Sequence, residues 1–282
     1  MKDNFPKRLY YYPGCSLVTS AKECHVSVLN VCRWAGIELI ELEDWNCCGA
    51  SSAHSLDSRL AYRLAWRVLS LVPEGCPLLV VCPSCLLRLR LAQHQLLTKE
   101  EAQREYRRFF GRPPVRVEIM PFLELLTRID WKAIKDELPK PLQGLRFASY
   151  YGCMLCLPPN LNHLKNYYDV MESIGKALGG EPINWGYTTQ CCGTYLSVVR
   201  PDVVTGLVNR IISEAKNFGA ECLVTPCSMC QLNLEIRCDL NDPLPVLHFS
   251  ELVALALGVA EKNWFKYHLI DPRPTLQRYN LV

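Results

Sequence analysis

The sequence predicts an α/β protein built from two duplicated halves, each a short parallel sheet with helices, related by a pseudo-twofold axis. Three observations predict it. Strand-length apolar runs alternate with stretches of helical spacing, the signature of parallel βαβ units. An ordered cysteine pattern occurs twice, as C-x31-CCG-x32-C-x2-C and C-x37-CCG-x33-C-x2-C, which marks an internal duplication. A chain of 282 residues with 49% apolar side chains can bury a sizeable core, here as two halves of roughly 140 residues. The boundary falls at Pro139-Lys140-Pro141-Leu142-Gln143-Gly144, whose prolines and glycine read as a linker. It divides the chain into residues 1–140 and 141–282, the latter with a C-terminal tail.

The elements follow in order. Arg8–Tyr12 is a strand that ends at Gly14-Cys15, and Ser20–Trp34 has helical spacing and stops at Gly36. Ile37–Leu42 alternates as a strand that delivers Cys47 and Cys48; Leu56–Val72 is an amphipathic helix closed by Pro73 and Gly75. Leu78–Val81 is a continuous apolar strand, followed by Pro83 at a helix start and the apolar-basic helix Leu86–Leu97. Residues 98–120 hold a charged helix, the turn Gly111-Arg112-Pro113-Pro114 and a strand over Val115–Met120. The second half repeats the scheme. Strands are predicted at Phe147–Tyr150, Ile183–Trp185 and Glu221–Thr225, and helices at Tyr167–Leu178, Asp202–Lys216 and Met229–Ile236.

Composition narrows the function. A net charge of +3, with no Lys/Arg run longer than two, argues against nucleic acid. The best apolar run, Leu252–Ala260, has nine residues, against the ~20 that span a bilayer. Met1-Lys2-Asp3-Asn4-Phe5-Pro6 has no apolar signal region, so a cytoplasmic, reducing location is expected. Sixteen cysteines in such a compartment point to metal or redox chemistry rather than disulfides.

The pattern selects Cys15, Cys47, Cys48, Cys82 and Cys85 in the first half and Cys153, Cys191, Cys192, Cys227 and Cys230 in the second. All fall at strand ends or at the start of the next helix, where ligands bind in open α/β sheets. Helix N-termini also offer unpaired N–H groups and a positive dipole end, which offset thiolate charge. Gly49 and Gly193 allow the turn that aims adjacent cysteines at one place. Five thiolates per half are one more than a tetrahedral zinc or a cubane cluster takes. Iron–sulfur chemistry fits this set best, with zinc in one or both halves and thiol-only redox left open.

Six cysteines stand outside the pattern: Cys24, Cys32, Cys76, Cys156, Cys222 and Cys238. Cys24, Cys32 and Cys222 read as small buried hydrophobes; Cys156, three residues after Cys153, is the one extra thiol close to a site. His54 and Arg200 follow the two CCG motifs and are candidates for handling an anion or a proton, against the plainer reading of solvated or capping side chains. Thr194 and Tyr195 join them as candidate walls of a cleft between the halves. His248 reads as a core or capping histidine. No C-x2-C-x2-C-x3-C run and no G-x-G-x-x-G after a strand occur, so electrons are expected from a partner protein.

Flanking residues repeat as well, Tyr12-Pro13-Gly14-Cys15 against Tyr151-Gly152-Cys153, and Leu78-Leu79-Val80 against Leu223-Val224-Thr225. With these the chain resembles the CCG-domain family, and specifically the B subunit of heterodisulfide reductase, from about residue 8 to its end. The resemblance implies two CCG domains, each holding a non-cubane [4Fe-4S] cluster on the five cysteines of its half. It implies disulfide or thiol chemistry between the two clusters, on a heterodisulfide or a sulfur carrier. It also implies a complex with a ferredoxin-like iron–sulfur subunit and a flavoprotein subunit. Asn46-Cys47-Cys48-Gly49-Ala50-Ser51 and the tail Asp271-Pro272-Arg273-Pro274 look more like the heterodisulfide reductase-like proteins of sulfur oxidisers. The spacings of 32 and 33 after each CCG are slightly short for the family, which bears on the substrate pocket rather than on the ligands. Some family members carry zinc in place of one cluster. The alternative function is a non-catalytic electron relay, as in the CCG subunits of lactate, glycolate or succinate oxidising complexes.

Overall fold

Eight short strands form two separate, wholly parallel sheets in a computed structural model that describes residues 7–50, 53–155, 167–261 and 263–282. The first half runs β1 (Arg8–Tyr12), α1 (Gly14–Thr19), α2 (Lys22–Trp34), β2 (Glu38–Glu41), α3 (Ala53–Leu56), α4 (Ser58–Leu71) and β3 (Pro77–Val80). It closes with α5 (Pro83–Thr98), α6 (Glu100–Phe110), β4 (Glu118–Pro121) and α7 (Phe122–Leu126). The second half runs β5 (Arg146–Ser149), α8 (Val170–Ala177), β6 (Glu181–Ile183), α9 (Pro201–Asn217), β7 (Cys222–Thr225), α10 (Ser228–Ile236), β8 (Val246–His248), α11 (Phe249–Ala256) and α12 (Arg273–Gln277).

The sheet orders are β2-β1-β3-β4 and β6-β5-β7-β8, the same topology twice. In each, the chain direction across the sheet reverses between the first and third strands. The carboxyl ends beside that reversal are the natural ligand crevice of an open parallel sheet. Continuous apolar strands suit this burial: Leu78, Leu79 and Val80 of β3 and all of β7 are buried.

Several elements differ from the sequence reading, each for a local reason. α1 is too short, at six residues, to show a helical period. Residues 115–117 leave the sheet because the side chain of Gln93 on α5 takes both backbone groups of Val117, at 2.7 and 3.0 Å. β6 lies two residues earlier than expected, at the sheet edge where Pro182 is tolerated. Trp185 instead donates its indole N–H to the Ser149 carbonyl at 3.0 Å. The segment around Leu142 is docked rather than loose: Leu142 is fully buried and its N–H bonds the Leu178 carbonyl at 2.9 Å.

The apolar run at Leu252–Ala260 supplies most of α11, every residue of which is buried. A helix covered on all sides is a core helix, and this one packs against α2 of the first half. The join between the halves keeps polar pairs too. Ser16 meets Ser228 (3.1 Å), Ser27 meets Ser250 (2.5 Å), and the Cys24 thiol donates to Gln231 Oε1 (2.9 Å). Beside them His268 bridges Glu235 (2.8 Å) and Glu251 (2.9 Å), all three buried. His248 caps α11 through a reciprocal pair with Glu251 and is itself buried.

Candidate functional site

Each cysteine sits where the fold ends a strand or begins a helix. Cys15 opens α1 behind β1, Cys47 and Cys48 follow β2, Cys82 caps α5 and Cys85 lies in its first turn. Cys153 follows β5, Cys191 and Cys192 follow β6, Cys227 caps α10 and Cys230 lies in its first turn. Cys156 falls outside the described residues. Cys24, Cys32 and Cys222 are buried, while Cys76 and Cys238 are half-buried.

The sulfurs are brought together in matching pairs. Cys15 and Cys47 Sγ are 3.9 Å apart, as are Cys153 and Cys191; Cys48 and Cys85 are 3.1 Å apart, Cys192 and Cys230 3.6 Å. Backbone N–H groups point at several of them, among them Gly49 at Cys47 (3.4 Å), Gly193 at Cys191 (3.3 Å) and Cys230 at Cys227 (3.4 Å). Gly49 and Gly193 hold φ at +79° and +81°, the left-handed region where a side chain is strained. A Cβ at Gly14 would stand 3.1 Å from Cys85 Sγ, and one at Gly152 3.2 Å from Cys230 Sγ. These glycines let the backbone approach the sulfurs.

A pair of tyrosines fixes the CCG loops. Tyr12 donates to the Asn46 carbonyl at 2.9 Å and Tyr150 donates to the Gln190 carbonyl, in each case the residue before the two cysteines. Tyr150, not Tyr151, therefore plays the part of Tyr12. Both are fully buried.

All ten cysteines of the two sets line one cavity of about 360 Å³, together with Ser16, Ala50, Ser84, Met154, Thr194, Tyr195, Val198 and Met229. Their proton affinities show the strain of crowding thiols. Cys15 and Cys153 are held well up as thiols, first by the protons they give Cys47 and Cys191 and then by burial. Cys85 and Cys230 are pushed up by their partners Cys48 and Cys192. Cys191 is lowered to about 6 by the Cys153 thiol, Cys192 to about 7 by Cys230, and Cys82 to about 7 by Cys85. Each set can shed only part of its protons unless positive charge enters it.

The non-cysteine candidates separate. Thr194 Oγ1 lies 3.0 Å from Cys192 Sγ, and Tyr195 lines the cavity. His54 stands behind Tyr195, ring centroids 5.6 Å apart and edge-on. Arg200 is outside the lining, exposed and paired with Asp202 at 2.8 Å. Ser16, Ser84, Met154, Val198 and Met229 were missed by sequence reasoning. Aligning the halves residue by residue would have found them, because each sits at a fixed offset from a pattern cysteine.

Comparison with known proteins agrees with this duplication. The family profile CCG, described as a cysteine-rich domain, matches residues 9–90 and 147–235, more than half of the chain. The chain is 30% identical over 280 residues to the 8-methylmenaquinol:fumarate reductase membrane anchor subunit of Wolinella succinogenes, covering 94% of this chain and 98% of that one. It is 26% identical to a protein of Archaeoglobus profundus named as like the heterodisulfide reductase B subunit, covering 87% and 89%. It is also 26% identical to the B subunit of the ferredoxin/F(420)H(2)-dependent CoB-CoM heterodisulfide reductase of Methanosarcina acetivorans, covering 79% and 80%. The crystal structure of a hypothetical protein from Helicobacter pylori superposes with a TM-score of 0.75 at 13% identity, over 94% of this chain; this chain spans about half, 52%, of that one.

Proposed function

Because the chain belongs to the CCG cysteine-rich-domain family, with relatives named as heterodisulfide reductase B subunits, we propose that each five-cysteine set holds an iron–sulfur cluster and that a disulfide or sulfur-carrier thiol reacts between them. It is a CCG-domain subunit related both to those proteins and to a fumarate reductase anchor. The finer reading is two-electron sulfur chemistry at two non-cubane [4Fe-4S] clusters, held by Cys15, Cys47, Cys48, Cys82 and Cys85 and by Cys153, Cys191, Cys192, Cys227 and Cys230.

The observation that carries it is the single cavity touching both sets. A substrate there meets the two sites at once. The donor set suits a cluster. Among the described residues no group of three or more His, Cys, Asp or Glu closes to the spacing of a single-ion site; the sulfurs line a volume instead. Five soft thiolates that repel one another are stabilised by several iron ions better than by one zinc. When bound, such clusters supply electrons one at a time to a sulfur atom. The protein's part is to aim ten sulfurs at the cavity and direct N–H groups at them.

No helix among the described residues is long and apolar enough to cross a membrane. We place the subunit in the cytoplasm, fed by a ferredoxin-like iron–sulfur protein that is itself linked to a flavoprotein. A second reading, an electron relay without sulfur substrate, is favoured by the near full-length similarity to the fumarate reductase anchor. Anaerobic purification with iron and sulfide analysis tests the first reading: about eight irons per chain are expected for two four-iron clusters. Addition of a thiol to the oxidised protein then separates the readings. A changed electron paramagnetic resonance (EPR) spectrum supports sulfur chemistry, an unchanged one supports relay, and zinc without iron overturns both.

A further inference from the structure

The cavity is built from duplicated parts, yet its two ends differ. Offsets of 138, 144 and 145 residues relate the halves at the first cysteine, the CCG and the last pair. By those offsets Ser84 of the first half corresponds to Met229, Ser16 to Met154 and His54 to Val198. The second-half end is therefore walled by two thioethers and an aliphatic side chain. Among the described residues the hydroxyl that lines it, Thr194, is committed to Cys192 Sγ at 3.0 Å and the Met229 carbonyl at 3.4 Å. Ser16 is likewise engaged with Ser228.

Tyr195 breaks the symmetry. It leaves the second half just after the CCG turn and reaches the first, where it meets His54 and lines the cavity beside Ser84, Cys82 and Cys48. Its ring lies edge-on to His54, whose Nδ1 is buried with no partner among the described residues. A phenolic hydroxyl keeps its proton at neutral pH and so offers a hydrogen-bond donor to the cavity. The residue is 44% exposed, which leaves it a route to solvent protons.

We propose that Tyr195 is the hydrogen-bond donor and proton relay to the substrate sulfur held over the first-half cysteines, a part that no described side chain plays at the second-half end. The proposal rests on the disulfide reading above. Two electrons from a reduced iron–sulfur partner break the S–S bond. The sulfur at the first-half end becomes a thiolate that accepts a hydrogen bond from the Tyr195 hydroxyl, takes a solvent proton relayed through that hydroxyl as the phenol proton is replaced, and leaves as a thiol. The other sulfur leaves as a thiolate and takes its proton from solvent. The cavity thus orients an unsymmetrical disulfide by which sulfur needs the donor.

The test is thiol binding to the oxidised, anaerobically purified full chain in its complex, using 2-mercaptoethanol as the probe and EPR as the readout. Tyr195→Phe is placed in Cys192→Ser and Cys48→Ser backgrounds, which leave the first-half and second-half sites respectively. Loss of one hydrogen bond to a developing thiolate should weaken binding at the first-half site about tenfold, and flatten the pH dependence of its midpoint potential. Ser84→Met, which installs the second-half side chain, should reproduce part of the loss. The Cys48→Ser background should be indifferent to Tyr195→Phe. Equal effects in both backgrounds, or none in Cys192→Ser, overturn the assignment. A wild-type protein that contains no iron, or ignores the thiol, overturns the disulfide reading instead.

Discussion

Glu23→Gln offers a sharp test of how the two halves are joined. Glu23 lies in the first turn of α2, 4% exposed, with Oε2 unpartnered among the described residues. It faces Cys24 on its own helix, Glu251 on α11, Glu235 on α10 and His268 beyond them. Burial first, and Glu251 second, push its carboxyl from 4.5 to about 7. At 1.36 kcal/mol per unit, the ionised form is disfavoured in the fold by roughly 3 kcal/mol. An acid whose folded pKa exceeds its unfolded one contributes stability that is complete below the unfolded value and is lost as pH rises through the folded value. The window here is therefore about pH 4.5 to 7. Between pH 5.5 and 8 the wild type should lose about 2 kcal/mol that Glu23→Gln keeps. His268, opposed by burial but held at about 11 by Glu251 and Glu235, and His248, lowered to about 4 by burial, add their own pH dependence because both titrate at 6.5 when unfolded, but they do so equally in the two proteins, so the difference between the profiles isolates Glu23. Anaerobic urea unfolding of both proteins across the range gives the answer, and comparing slopes with pH cancels any fixed packing cost of Gln. Parallel pH profiles would refute the argument that this carboxyl is buried against like charge.

Other outcomes follow from the same geometry. Cys48→Ser should cut iron per chain by about half, and Cys192→Ser likewise, because each half supplies its own thiolates; loss of all iron, or none, contradicts independent halves. Gly49→Ala forces a side chain into φ +79° and within 3.2 Å of the Ala61 backbone, so it should empty the first-half site. Gly206→Ala, which meets nothing within 4 Å, should be neutral or stabilising by up to about 1 kcal/mol. Tyr150→Phe strips the donor from the Gln190 carbonyl at a cost of about 1–3 kcal/mol, and should speed iron release to a chelator from the second half. Purification from the native source should recover an iron–sulfur partner, and a lone, fully active monomer would contradict the partner assignment.

The sequence by itself determined the α/β class, the duplication and the ten-cysteine framework, because each is written in neighbouring residues. Apolar runs of strand length such as Leu78–Val81 are buried wherever they lie, Pro83 after Cys82 starts a helix locally, and Gly49 needs its left-handed turn regardless of the rest of the chain. What touches what across the halves was not legible. Ser16 and Ser228 are 212 residues apart, Cys24 and Gln231 207; no local pattern links them. The same holds for Tyr195, whose side chain serves the other half's cysteines, and for Arg200, whose helix start turns it out to Asp202. α11 shows the limit most plainly. Its composition announces burial, but only the packed halves decide that it is buried against α2. Local sequence sets the free energy of forming each element. The pairing of their faces is chosen by the total area and polarity buried when all of them meet, and that sum exists only in the folded chain.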